Sequence, residues 1–455
     1  MATLQSPWPP IIRRRNTPSA SAASLPIYFV VILGYFLLLP PQLNVTIMGS
    51  VLPPYRFFLL GAVIYIIVQA VSGRVRLGWP DILMLLATVW IGISFFLNST
   101  PLDAITSTIA QACDIGLAFF FARCAIKDLR DLRIFLLFMA PGLAASAGVL
   151  AFESLTRTHI LQPIFSAVTG APFYAETFIR MGIMRAPGSF PHPILAGIFF
   201  ASFLPLYFYS GLRKWPLWAG TGAALASFFT ISSAAILGLV ASIALITYNV
   251  LVERIRQATW RLFAVFGGLA IIVGEYATES GIYSLVARYG ALNAHNGYYR
   301  LQIWRYGSEN VVARPWFGIG YGEWTRPDWM TLSIDHYWLL LAIQFGILPP
   351  LLIATTIVIA VLRLARKSTA LPRPDQRLLR AIAIALSVYA LGIVSVSIWL
   401  SAQVWFFMLL GIAVSLSQPF VFRPQPKLDE FPTTSKNPRL RQRPATSLGL
   451  SRRQP

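Results

Sequence analysis

Residues 233–250, SAAILGLVASIALITYNV, run for eighteen positions without a charge. At 1.5 Å rise per residue such a stretch reaches about 27 Å as a helix, close to the hydrocarbon thickness of a bilayer. No strict alternation of polar and apolar residues interrupts it, so a barrel strand does not fit. Just before it lies WPLWAGTGAALASFFTI, residues 215–231, joined by a single residue. Two apolar stretches this close predict a helical hairpin with a very short turn.

The pattern repeats outward in both directions. Ten more apolar segments lie at 25–41, 55–71, 80–97, 104–123, 134–152, 191–211, 261–276, 337–362, 380–398 and 400–420. Twelve membrane-crossing helices are therefore expected, because backbone polar groups in hydrocarbon must be bonded within the segment. Composition agrees: 56% of the 455 residues are hydrophobic and 12% charged, with 13 Trp and 31 Phe. No single water-soluble core could hide that much apolar surface. The expected fold class is all-α and polytopic. Residues 1–24 form a basic arm, 25–420 the membrane domain with long loops at 153–190 and 277–335, and 421–455 a tail rich in Pro, Ser, Thr and Arg. Such a tail buries too little apolar surface to fold.

Arg13, Arg14 and Arg15 before the first apolar run also resemble the start of a signal peptide. No small-residue cleavage site follows, only Pro-Pro-Gln-Leu-Asn, so a retained first helix is expected. Cys113 and Cys124 would lie about 16 Å apart on one helix, too far for a disulfide. They have no metal-ligand spacing and read as packing residues.

The net charge of +20 would point to nucleic acid in a soluble protein. Its placement points elsewhere. With a cytoplasmic N-terminus, 28 of the 37 basic residues fall on the cytoplasmic side. The nine outside are Arg56, Arg157, Arg180, Arg185, Arg288, Arg300, Arg305, Arg314 and Arg326. Nine acids share that side, so the exterior is nearly neutral and the excess charge faces the cytoplasm. Membrane orientation and attraction to anionic lipid explain the basic balance without nucleic acid.

All nine exterior bases are Arg, and eight lie in the two long loops. Arginine grips phosphate in a bidentate manner and stays charged, which suits a pyrophosphate ligand. Arg300 and Trp304 share a helix face within Asn296–Ala313, which Pro315, Gly318, Gly320 and Gly322 bring to a stop. Pairing within the loop, such as Arg305 with Glu309, is the plainer alternative. Asp335-His336-Tyr337 marks the return to the membrane, where an imidazole can take a proton near neutral pH. Arg185-Ala-Pro-Gly-Ser-Phe-Pro-His192-Pro193 predicts a rigid turn leading into a helix start, a place that favours anions. His192 there is equally at home as a structural turn residue. Asp103, Ser107, Gln111 and Asp114 form a polar stripe, read as interhelical hydrogen bonding before any substrate path. Gly318-Ile-Gly320-Tyr-Gly322 is neither a dinucleotide fingerprint nor a P-loop. Neither a metal-ligand cluster nor a serine nucleophile motif is present.

Together these motifs resemble the O-antigen ligase and polysaccharide polymerase family of bacterial envelopes. The likeness covers roughly residues 180–365. It rests on Arg185-x2-Gly188-x-Phe190-x-His192-Pro193, on Arg300-x3-Trp304 with Pro315-x2-Gly318-x-Gly320, and on His336 with Gly346. The resemblance implies a GT-C-like, metal-independent glycosyltransferase of the bacterial inner membrane with its site facing the periplasm. It would need no cofactor. It would move a glycan from undecaprenyl pyrophosphate to a sugar hydroxyl of an acceptor glycan or of lipid A–core, beside other envelope polysaccharide assembly proteins. Arg300 and Arg185 would hold the diphosphate, and His336 would act as base or orient the acceptor. Arg305, Arg314, His192 and Tyr337 are the further substrate contacts expected. Tyr337 stands where ligases carry a small polar residue, so exopolysaccharide polymerase and lipopolysaccharide ligase both stay open. A flippase for lipid-linked sugars is the competing class, though no internal repeat supports it.

Overall fold

The computed structural model describes residues 25–47, 50–173, 177–180, 182–255, 257–277 and 294–418. The basic arm, the tail, and residues 278–293 of the second long loop, with Glu279 and Arg288, lie outside the described residues, as does Glu176. The described part is overwhelmingly helical. Its strands are two short antiparallel pairs, Val45–Ile47 with Ser50–Leu52 and Ile179–Arg180 with Ile183–Met184.

Among the described residues seven helical stretches are long and apolar enough to cross a membrane: Pro54–Val71, Trp79–Asn98, Pro101–Ala125, Leu129–Thr156, Ser233–Arg254, Leu348–Ser368 and Leu400–Ser417. This is an all-α, membrane-embedded protein. Leu25–Phe36 and Pro193–Phe208 are shorter apolar helices. Three of the expected segments are reshaped. The 215–231 stretch is helical over Trp215–Leu225, tightens to a 3-10 turn over Ala226–Thr230 and reverses at Ile231 with φ 42°. The 380–398 stretch begins earlier and ends at Gly392, leaving 393–399 irregular. The 337–362 stretch is two helices, Tyr337–Phe345 and Leu348–Ser368, with a break at Gly346.

Leu400–Ser417 is the hub. Every residue from Ser401 to Ser417 is buried. A helix that is apolar all round belongs in the middle of a bundle. Gly411 allows it to touch the Ala118–Ala125 helix, since a Cβ there would sit 2.3 Å from the Phe119 carbonyl oxygen. Trp405 stacks on Phe203 at 4.5 Å and donates its indole N–H to Ser202 Oγ at 2.8 Å.

Two buried Arg–Asp pairs lie inside the bundle. Arg56 grips Asp114 with two hydrogen bonds of 2.9 and 2.6 Å, and Arg123 reaches Asp81 at 3.1 Å. Asp114 lies in a π-helical turn, Ala112–Leu117. Two other members of the polar stripe, Asp103 and Gln111, also have structural partners. Asp103 lies in the first turn of its helix, bonded to the N-cap Thr100, and Gln111 bonds Tyr321 and Gln403. Cys113 and Cys124 are free and buried.

The break at Gly346 has a specific cause. Residues 315–320 lie directly against it: Ile319 N donates to Ile343 O at 3.0 Å, Gly320 N to Gln344 O at 2.9 Å, and Ile347 N to Pro315 O at 2.8 Å. Gly318 and Gly346 both take positive φ, and a Cβ on Gly346 would fall 1.9 Å from Trp316 O. These backbones approach too closely for any side chain. Ser94 and Asn98 also donate to Phe317 O, tying the knot to the Trp79–Asn98 helix. The Pro315-x2-Gly318-x-Gly320 motif thus locks two segments that are remote in sequence.

Candidate functional site

The second long loop is anchored by a small apolar core. Ile303, Trp324, Met330 and Ile334 pack against Leu339 and Ile343. This fixes the Ala294–Ala313 helix on the Tyr337–Phe345 helix, and Gly307 lets Leu339 pass where a Cβ would come within 2.6 Å. Positions 300, 303, 304 and 307 share that face. Arg300 is buried there, while Trp304 keeps 41% of its surface open.

Helix Tyr337–Phe345 is capped by His336, whose Nδ1 accepts the Leu339 amide at 3.1 Å. With Nδ1 used as acceptor, the neutral ring carries its proton on Nε2. Burial pushes His336 down to about 4, so it is neutral at physiological pH. Its ring lies 5.2 Å from that of Trp304. Of the two roles expected for His336, this geometry favours orienting over accepting a proton.

The first long loop is organised by Glu153, which is fully buried. Its carboxylate accepts from Ile160 N at 3.0 Å and from Gly188 N at 2.9 Å. Gln162 donates to the carbonyls of Gly188 and Phe190. The turn before Pro193 is therefore rigid, as its Gly and Pro predict. It carries Arg185, whose amide donates to Phe178 O at 2.9 Å and whose guanidinium lies 5.8 Å over the Phe178 ring. His192 caps the Pro193–Ala201 helix through Nδ1, accepting from Ile194 N at 3.2 Å.

The two loops meet at Asp335. Burial pushes its carboxyl up, while Arg300, a hydrogen bond from Ser333 and Arg185 pull the other way. Arg185 is pushed down to about 10 by burial and by Arg180, with Asp335 opposing, and it remains charged at pH 7. Arg185 and Arg300, 115 positions apart in sequence, thus both lie within electrostatic reach of a half-buried carboxylate next to His336.

Other expected contacts are not brought into this cluster. Arg305 and Arg314 are exposed, and Arg305 lies 5.7 Å over the Tyr306 ring. Among the described residues no ion pair joins Arg305 to Glu309. Arg326 is held within its own loop by Glu323 and by the carbonyls of Trp324 and Met330. Tyr337, expected as a substrate contact, is 2% exposed and packs in the main hydrophobic core. The reason is its amide, which donates to Ile393 O at 3.0 Å and Val396 O at 3.2 Å and seats the residue beneath the loop. Asp335 was passed over as a site residue. Its adjacency to His336 was the one signal available. Among the described residues no three His, Cys, Asp or Glu converge as a metal site would require.

Neither the known protein-family models nor the curated proteins contain a match to this chain.

Proposed function

We propose that this protein is a membrane glycosyltransferase that moves a glycan from undecaprenyl pyrophosphate to a sugar hydroxyl. The observation that carries the proposal is the packing of the Arg300–Trp304 helix face on the His336 helix cap, with Arg300 and Arg185 both within electrostatic reach of Asp335. The motif resemblance and the charge distribution support it. In this account the chain crosses the bacterial inner membrane twelve times, with both termini cytoplasmic and the cluster facing the periplasm.

The acceptor hydroxyl oxygen attacks the anomeric carbon of the donor sugar. The bond from that carbon to the diphosphate oxygen breaks, and its electron pair leaves with the diphosphate. Arg185 and Arg300 stabilise that developing charge, which is where preorganised cations act most strongly. The acceptor proton passes to Asp335, whose burial raises its affinity for protons. His336 donates from Nε2 to orient the acceptor. The acceptor is another lipid-linked glycan in a polymerase and lipid A–core in a ligase.

The test is reconstitution in liposomes with undecaprenyl-pyrophosphate oligosaccharide in the presence of EDTA. Chain growth or transfer with release of undecaprenyl pyrophosphate is expected. Movement of the lipid-linked sugar across the bilayer with no new glycosidic bond would make the protein a flippase and sink the proposal.

A further inference from the structure

We infer that Trp399 and Trp304 form the walls of a sugar-ring subsite beside the Arg185–Asp335–Arg300 cluster, an inference that rests on the glycan-transfer proposal. Segment 393–399 is clasped to the segment carrying Asp335. Ser397 Oγ donates to Ile334 O, and Tyr337 N donates to Ile393 O and Val396 O. Trp399 therefore stands at the edge of the cluster. Its ring lies 6.3 Å from that of His192, which lies 6.3 Å from Phe178, the ring under Arg185. On the other flank Trp304 lies 5.2 Å from the His336 ring, one helical turn from Arg300. Each indole is steadied by a helix-capping histidine, and each keeps about two-fifths of its surface open, 40% for Trp399 and 41% for Trp304.

The backbone supplies a second observation. Leu400, the residue after Trp399, has φ 51°, in the left-handed region that leucine rarely takes. Strain of this kind persists only where the surroundings impose it, and it clusters at functional positions. Here it sets the direction of Trp399, the N-cap residue of the buried Leu400–Ser417 helix. A Trp that merely anchors the protein at membrane depth needs no such fixed aim. A flat indole with a wet edge suits a pyranose, whose C–H face packs on the ring while its hydroxyls remain hydrated.

The full-length protein in nanodiscs is titrated with two probes. One is the oligosaccharide pool released by mild acid from the cells' own polyprenyl-diphosphate glycans, and the other is farnesyl diphosphate. For Trp399→Leu, oligosaccharide affinity is expected to fall about tenfold, the scale of one aromatic contact, with farnesyl diphosphate affinity unchanged. Trp399→Phe keeps most of the affinity. Leu400→Gly keeps the indole but frees it, and is expected to weaken oligosaccharide binding alone. Retained diphosphate binding shows that each variant is folded. Wild-type oligosaccharide affinity in Trp399→Leu, Trp304→Leu and Leu400→Gly would overturn the subsite and leave the transferase proposal standing. If the wild type binds neither probe, both fall.

Discussion

Two clusters in this molecule are built from Arg and Asp, and they are arranged in opposite ways. Arg56 and Asp114 pair one to one. The guanidinium gives two hydrogen bonds to the carboxylate and a third to Val51 O, and Asp114 is 2% exposed. That pair is complete and closed. At the second cluster Asp335 lies within electrostatic reach of Arg300 and Arg185, which come from the two long loops. In the proposed account its two guanidiniums serve an anion. The same residue types thus make a structural clamp in one place and a candidate binding site in the other. Stoichiometry and access decide which.

The widest separation between the clusters should come from removing the carboxylates. Asp114→Asn leaves the Arg56 charge buried against a neutral amide and should cost about 3–5 kcal/mol, read as a lowered unfolding temperature in detergent. Asp335→Asn should lower that temperature less, because its carboxylate is only half-buried, but lose about 10²–10⁴-fold in transfer rate. Equal thermal stability for both variants, or equal activity, would erase the distinction.

The knot beneath the site can be probed at its glycines. Gly346→Ala should destabilise by well over the roughly 1–3 kcal/mol of a left-handed backbone alone, because its Cβ would meet Trp316 O. Gly73→Ala is the matched control, with φ +64° and nothing within 4 Å of the added carbon. Similar losses at the two positions would mean that the knot contributes little.

His336 gives a smaller effect. His336→Ala removes a cap and should cost about 1 kcal/mol, whereas His336→Asn keeps a capping side chain and should cost much less. Thermal unfolding of the two variants separates capping from orientation, since both lose the Nε2 donor and should transfer slowly.

The pH response is the subtlest test. In the folded chain His336 titrates at about 4 against 6.5 for the ordinary group. Between those values the unfolded chain binds more protons, so the stability His336 contributes is full above 6.5 and declines as pH falls towards 4. His336→Asn should flatten that part of the stability curve. Transfer should show an acid limb above the usual carboxylate range, from Asp335, and Asp335→Asn should remove it. An acid limb unchanged in Asp335→Asn would assign the proton elsewhere.

Much of the helical framework was legible because uncharged runs such as 233–250 permit little else in a bilayer. The paired polar stripe was legible for the same reason, since a carboxylate in hydrocarbon needs a partner. The break at Gly346 was not, because it depends on residues 315–320 reaching back across the intervening loop. A local reading sees only an apolar run from 337 to 362. The inward turn of Tyr337 was hidden likewise, set by carbonyls at Ile393 and Val396. Arg185 and Arg300 were identifiable as arginines among turn and helix signals. That both act electrostatically on Asp335 was not, since proximity across 115 positions is a property of the fold. The buried Glu153 that holds the first loop looked like one more exterior acid.

The central claim is that Arg185 and Arg300 act on one diphosphate. A double-mutant cycle with Arg185→Lys and Arg300→Lys, measured as farnesyl diphosphate affinity of the full-length protein in nanodiscs, tests it most directly. Groups on a shared ligand couple, by about 0.5–3 kcal/mol, so the double variant should bind with an affinity that departs from the product of the two single losses. Strictly additive losses, or an Arg300→Lys variant that binds as well as wild type, would contradict the account.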